Sequence, residues 1–201
     1  MSEHLRLAGT GFAAQRQALE AIIRAEPSLM AVLDGMREME LPDGWVVSGA
    51  IYNNVWNALT GRPTMTGVKD IDLFYFDASD LSYEAEDRVI REGARRFAGM
   101  AVPVEIRNQA RVHLWYETHF GRPYTPLTSS CEAIDRFACL THAVGARLSA
   151  DDALEIYAPY GLDDMFSFRL VPNRKLDNRE THETKGARAV TIWPEVTVVP
   201  W

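Results

Sequence analysis

Asp70 and Asp72 stand two residues apart at the head of Ile71-Asp72-Leu73-Phe74-Tyr75-Phe76, and Glu105 sits within Val102-Pro103-Val104-Glu105-Ile106-Arg107. Apolar runs of this length, bounded by turn residues, read as short strands. Strand side chains alternate between faces, so positions i and i+2 project the same way. Asp70 and Asp72 therefore share one face of one rigid element, with Cα atoms about 6–7 Å apart. Two carboxylates so placed repel unless a cation lies between them, and a hard oxygen site of this kind suits Mg²⁺. The plainer alternative is a strand end with two solvated acids, because Asp-x-Asp is a short pattern.

The flanking elements bear on that choice. Trp45-Val46-Val47-Ser48-Gly49-Ala50 is a short apolar strand ending in a turn of small residues. Ile51, Val55, Trp56 and Leu59 then recur at helical spacing, and Gly61 stops the helix as a C′ residue does. Small residues between a strand and a helix let a phosphate approach the N–H groups of the helix N-terminus. The order is thus a strand, a Ser-Gly turn, a helix, a strand with two acids and a strand with a third.

That constellation resembles the nucleotidyltransferase fold of the DNA polymerase β superfamily. The chain is similar in particular to a bacterial family of small nucleotidyltransferase-like proteins. The resembling stretches are Val55-Trp56 to Pro63, Asp70-Ile71-Asp72 to Asp77, Glu105 to Tyr116, Ala158 to Asp164 and Val171-Pro172-Asn173. Together they run from about Trp45 to the C-terminus. The resemblance implies an α+β fold, a small mixed sheet flanked by helices, with a C-terminal hairpin-and-helix extension. It implies a Mg²⁺-dependent transfer of a nucleoside monophosphate from an NTP, such as ATP, to an acceptor hydroxyl. Asp70 and Asp72 would hold two Mg²⁺ ions (Mn²⁺ as a substitute), and Glu105 would complete the acceptor-side metal and take the proton. Ser48 and Gly49 would touch the β/γ-phosphates. The turn departs from the superfamily pattern, since Ser48 precedes Gly49 rather than following it, and Asp70 lies 21 positions beyond Gly49 (70 − 49). This departure motivates a second reading, a non-catalytic nucleotide-binding or partner-regulating module on the same fold.

The 201 residues suit one domain, with a helical cover over 12–40, a core over about 45–125 and an extension over about 128–201. Net charge is −7, and a broad nucleic-acid surface needs a basic patch. Extended nucleic-acid binding and a DNA-binding regulator are therefore not expected, and a small-molecule acceptor is favoured. No apolar run reaches the roughly 20 residues of a membrane helix and no leader is visible, so the expected location is cytoplasmic. Cys131 and Cys139 fall eight apart in one predicted helix, about 12 Å along its axis, which is too far to bridge. They read as free thiols.

Along the chain, residues 1–11 read as a loose arm, followed by amphipathic helices over about 12–25 and 28–39 and a Pro42-Asp43-Gly44 turn. Arg62 and Lys69 either neutralise a triphosphate or are merely solvated. Glu84 to Phe97 is a crossover helix with acids in its first turn and arginines in its last. Arg107 and Arg111 closely follow Glu105 and suit phosphate. His113, Trp115, Tyr116 and His119 either line a base pocket or, for Leu114 and Trp115, belong to the core. A hairpin over 143–157 reads as a second small β element. Asn173, Arg174, Lys175 and Lys185 are further phosphate candidates in a charge-rich stretch.

Overall fold

The computed structural model describes residues 2–201. Two helices lead, α1 (Phe12–Arg24) and α2 (Pro27–Glu38), with the stripes Leu19/Ile23 and Leu29/Val32/Leu33/Met36 buried. Pro27 occupies the first turn of α2, where an N–H has no helical acceptor anyway, and Glu26 caps the helix by accepting from the Ser28 N–H at 2.9 Å. β1 (Trp45–Val47) runs directly into α3 (Gly49–Thr60), which ends on Gly61 in the left-handed region at φ 68°. β2 (Ile71–Tyr75), α4 (Tyr83–Arg96) and β3 (Val104–Asn108) form a crossover unit with parallel strands. Gly93 lets α4 lie against β3, because a Cβ there would collide with Ile106.

α5 (Val112–Phe120) and the short α6 (Ser130–Asp135) follow. Then come β4 (Gly145–Leu148), β5 (Leu154–Tyr157), α7 (Asp163–Phe166), β6 (Arg169–Leu170), α8 (Arg179–Ile192) and β7 (Thr197–Val198). The main sheet has the order β3-β2-β1-β4-β5, antiparallel except for β2 and β3, and β6 and β7 pair separately in parallel.

The two faces of the sheet have different company. Ile71, Leu73, Val46 and Ile106 join the main core with α1, α2 and α3. Val47 lies opposite Asp72 and Trp45 opposite Phe74, so these four share the other face. There Trp45, Val47, Ile134 and Ala143 form a smaller cluster bordered by Phe74 and Phe137. The same register sets Asp72 beside Glu105 and Phe74 beside Arg107. One face is thus core throughout, whereas the other is only partly roofed. Among the described residues, no helix is long and apolar enough to cross a membrane.

Three expectations change. The 143–157 hairpin is not a separate element, because Val46 and Val47 of β1 pair with Ala146 and Gly145 and add it to the main sheet. The two cysteines do not share a helix. α6 stops at Asp135, since the chain from Ala138 pairs with 171–173 instead: Asn173 N–H donates to the Ala138 carbonyl at 2.9 Å, and Leu140 N–H to that of Val171 at 2.9 Å. Both thiols are free. The arm, described from residue 2 to 11, is tied down, with the Asp163 carboxylate accepting from Gly9 N–H and from Gln15 Nε2 of α1, both at 2.7 Å. The charge-rich stretch contains a 14-residue helix, α8.

Candidate active site

Asp70 is delivered by the loop over 62–69, which α3 holds through two asparagines. Asn54 Oδ1 accepts from the Met65 N–H at 2.8 Å, and Asn57 Nδ2 donates to the Thr66 carbonyl at 3.0 Å. Asn57 is itself fixed by the Trp193 indole N–H at 2.9 Å. A polar side chain in a helix core must be matched, and here the match sets the loop. From Asp70 the chain enters β2, and the register carries Asp72 to a place between Val47 and Glu105.

Among the described residues, neither Asp70 nor Asp72 has a hydrogen-bond or ion-pair partner. The Asp72 carboxyl is pushed up to about 6, first by burial and then by the charge of Asp70, with Glu105 adding to the same effect. Lys185 and Arg107 act in the other direction. A largely buried carboxylate beside two others is costly to ionise without a cation. Glu105 is half exposed and pairs with Arg107 at 3.2 Å. Among the described residues, no three His, Cys, Asp or Glu side chains are gathered closely enough to hold a metal ion. Mg²⁺ does not require such a cage, since one or two carboxylates with substrate phosphates and water complete its shell. Asp70 and Asp72 fit that requirement, with Glu105 abreast of them.

Ser48 stands in an unusual backbone conformation, φ 57° and ψ −114°, between β1 and α3. Its N–H donates to the Val144 carbonyl at 2.9 Å, and its own carbonyl accepts from Ile51 and Tyr52. The Ser48 side chain makes no cap. Gly49 and Ala50 N–H groups have no acceptor among the described residues, and a Cβ at Gly49 would meet only Asn53 Nδ2 at 4.0 Å. The first turn of α3 thus offers open N–H groups and free space at the positive end of a helix dipole.

A cavity of about 280 Å³ adjoins this turn. Ser48, Asp72, His142 and Lys185 bring polar groups to its lining. The rest is walled by the aromatic rings of Phe74, Phe137, Trp115, Tyr116, Phe120 and Tyr124. Tyr116 lies 4.3 Å from Tyr124 and 4.6 Å from Phe120, and the Arg136 guanidinium covers Tyr124 at 4.8 Å. A second cavity of about 330 Å³ shares Tyr116, Phe120, Asn178 and Thr181 with the first and adds Arg122, Asp177 and Glu183. The two cavities therefore join into one cleft, with Asp72 and the aromatic rings in the first and a mixed-charge mouth in the second.

The profile of a nucleotidyltransferase family matches residues 34–198. The chain is a nucleotidyltransferase of this family. A solved structure described as revealing a CCA-adding enzyme head domain is similar at a TM-score of 0.75 and 28% identity, over 92% of this chain and 96% of that one. No curated protein matches. The polymerase β-like α+β fold expected from the carboxylate pattern is the fold of this nucleotidyltransferase.

Its phosphate candidates part company in the structure. Arg111 is not free for phosphate: its guanidinium, only 12% exposed, pairs with Glu86 and donates to the Leu81 carbonyl at 3.0 Å. Arg62 pairs with Glu195 at 3.0 Å. Asn173 is buried and donates to the Asp135 carbonyl at 2.7 Å, and Lys175 pairs with Asp135 at 3.3 Å. Arg174 is exposed, and so is Lys69, which does not line the cavity. Lys185 does line it, one helical turn from Thr181 on α8. Arg188 follows on the same side, donating to the Gly67 carbonyl at 2.6 Å. Trp115 and Leu114 are not core, being 42% and 52% exposed, and Trp115 and Tyr116 line the cavity while His119 meets Phe120 edge-on and is not among the lining residues. His142, Arg136 and Thr181 were not singled out from the sequence, where each lacks a motif around it.

Proposed function

We propose that this nucleotidyltransferase uses Mg²⁺ held by Asp70 and Asp72 to transfer a nucleoside monophosphate from an NTP to a small polar acceptor. The observation that carries this reading is Asp72, a largely buried acid without a partner, beside Asp70 and Glu105 at the wall of the cleft. The triphosphate suits the open N–H groups of α3, with Lys185 as counter-charge, and the base suits the aromatic wall. Bound Mg²⁺ would neutralise charge on the phosphates and lower the pKa of an acceptor hydroxyl. The acceptor oxygen then forms a bond to the α-phosphorus as the bond to pyrophosphate breaks, and Glu105, once released from Arg107, accepts the hydroxyl proton. The mixed-charge mouth and the net charge of −7 favour a small polar acceptor over a polynucleotide.

One observation favours the non-catalytic alternative: Glu105, although next to Asp72 across the strands, has its carboxylate paired with Arg107, and among the described residues no three acids gather closely enough to hold a metal ion. Pyrophosphate release with Mg²⁺, each NTP and pooled hydroxyl acceptors separates the two. Release that disappears in Asp72→Asn supports transfer. Tight, Mg²⁺-dependent nucleotide binding with no release from any pool supports the binding module.

A further inference from the structure

His142 closes the short helical turn Leu140–His142 and is 2% exposed, yet neither ring nitrogen has a partner among the described residues. Its ring lies flat on Tyr52, with centroids 4.2 Å apart and planes 9° apart. Tyr52 belongs to the first turn of α3, and the Val144 carbonyl that holds the Ser48 N–H lies two residues after His142. The imidazole is therefore fixed against the turn that faces the carboxylates, and it lines the same cavity. Burial, helped by Lys185 and His182 nearby, holds its pKa well below the ordinary histidine range, so the ring is neutral. Leaving a buried polar atom unmatched costs about 1–3 kcal/mol, and such groups usually meet a partner that the chain itself does not supply.

Resting on the nucleotidyl-transfer reading above, we propose that His142 is a sugar-reading residue, hydrogen-bonding a ribose hydroxyl of the bound nucleotide. A neutral imidazole has one N–H and one lone pair. A phosphate oxygen can meet only the N–H, whereas a hydroxyl donates or accepts and so serves either ring nitrogen. The lining also offers a partner to each part of a nucleotide. Ser48, Lys185 and Asp72 suit the phosphates and the Tyr116 and Tyr124 rings suit the base, which leaves the sugar for a group held on the Ser48–Tyr52 turn. Phenylalanine at this position would keep the flat contact with Tyr52 and remove both polar atoms.

The test is calorimetric titration of ATP, 2′-deoxyATP and 3′-deoxyATP, each with Mg²⁺, into wild type and His142→Phe. Wild type is expected to bind ATP about tenfold more tightly than at least one deoxy analogue. His142→Phe should bind all three alike, at the weaker level, with a melting temperature at or above that of wild type. Equal wild-type affinities, or discrimination that survives in His142→Phe, would overturn the sugar reading while leaving nucleotidyl transfer intact. A wild type that binds no nucleotide would overturn both. Should the variant not fold, the His142 ring ¹⁵N shifts in wild type decide: movement with ATP but not with the discriminated analogue supports the contact, and identical movement refutes it.

Discussion

Glu86 and Asp72 are both acids held mostly out of water, and they are treated in opposite ways. Glu86 is complete: one oxygen accepts from the Asn108 N–H at 2.8 Å and the other pairs with Arg111. Asp72 has no partner and sits among like charges. A buried carboxylate with both oxygens engaged belongs to the architecture, whereas one left unmatched beside a cavity is free for something that arrives. Arg111 shows the same distinction from the cationic side, spent on Glu86 while Lys185 of α8 stands at the cleft.

The sharpest way to break this contrast is to neutralise each acid in turn. Asp72→Asn should reduce pyrophosphate release by at least about 10³-fold, an effect of about 4 kcal/mol on the barrier. Glu86→Ala should instead destabilise the fold by about 3 kcal/mol in denaturant titration, because the Arg111 guanidinium is left without its counter-charge. If Glu86→Ala melted like wild type, the structural role given to the pair would be wrong.

Stability against pH sharpens the comparison in the metal-free protein. Asp72 has a folded pKa of about 6 against an ordinary value of 3.8, so the unfolded chain gives up this proton first. Stability therefore falls as pH rises from about 4 to 6 and stays lower above. Asp72→Asn should be more stable than wild type by about 2 kcal/mol at pH 7.5, with the gap closing near pH 4. A gap independent of pH would show that the charge is not its source.

Two smaller effects follow. Lys185→Ala should raise the KM for the NTP about tenfold, close to 1.4 kcal/mol, without moving the melting temperature. Ser48→Gly should raise stability by up to about 1 kcal/mol, since φ 57° is a conformation that glycine adopts freely. A loss of stability there would mean that the serine side chain has a structural role.

The sequence made the carboxylate strands legible because alternation on β2 and β3 is strict: Ile71, Leu73 and Tyr75 go inward, and Asp72 and Phe74 outward. The crossover helix was legible through the acids and arginines at its two ends, and the Ser-Gly turn through its small residues. α8 was not, because its buried positions are His182, Gly186 and Ala189, too small and polar to give an apolar period. The fate of Arg111 was equally hidden, since its partner Glu86 lies 25 residues away on another element. His142 carries no local signal at all. Its interest comes from the absence of a partner in three dimensions.

The pairing of β1 with β4, and of the Ser48 N–H with the Val144 carbonyl, has a consequence for biosynthesis. A ribosome releases Asp70, Asp72 and Glu105 well before the segment that closes the turn beside them, and α8 with Lys185 later still. Until β4 emerges, β1 is an open edge, a surface that invites pairing with other chains. A nascent chain stalled before that point would hold every acid of the site and still be inert, more at risk of aggregation than of unwanted chemistry. α8 follows every other wall of the cleft along the chain, so the cleft is complete only once that helix has been made.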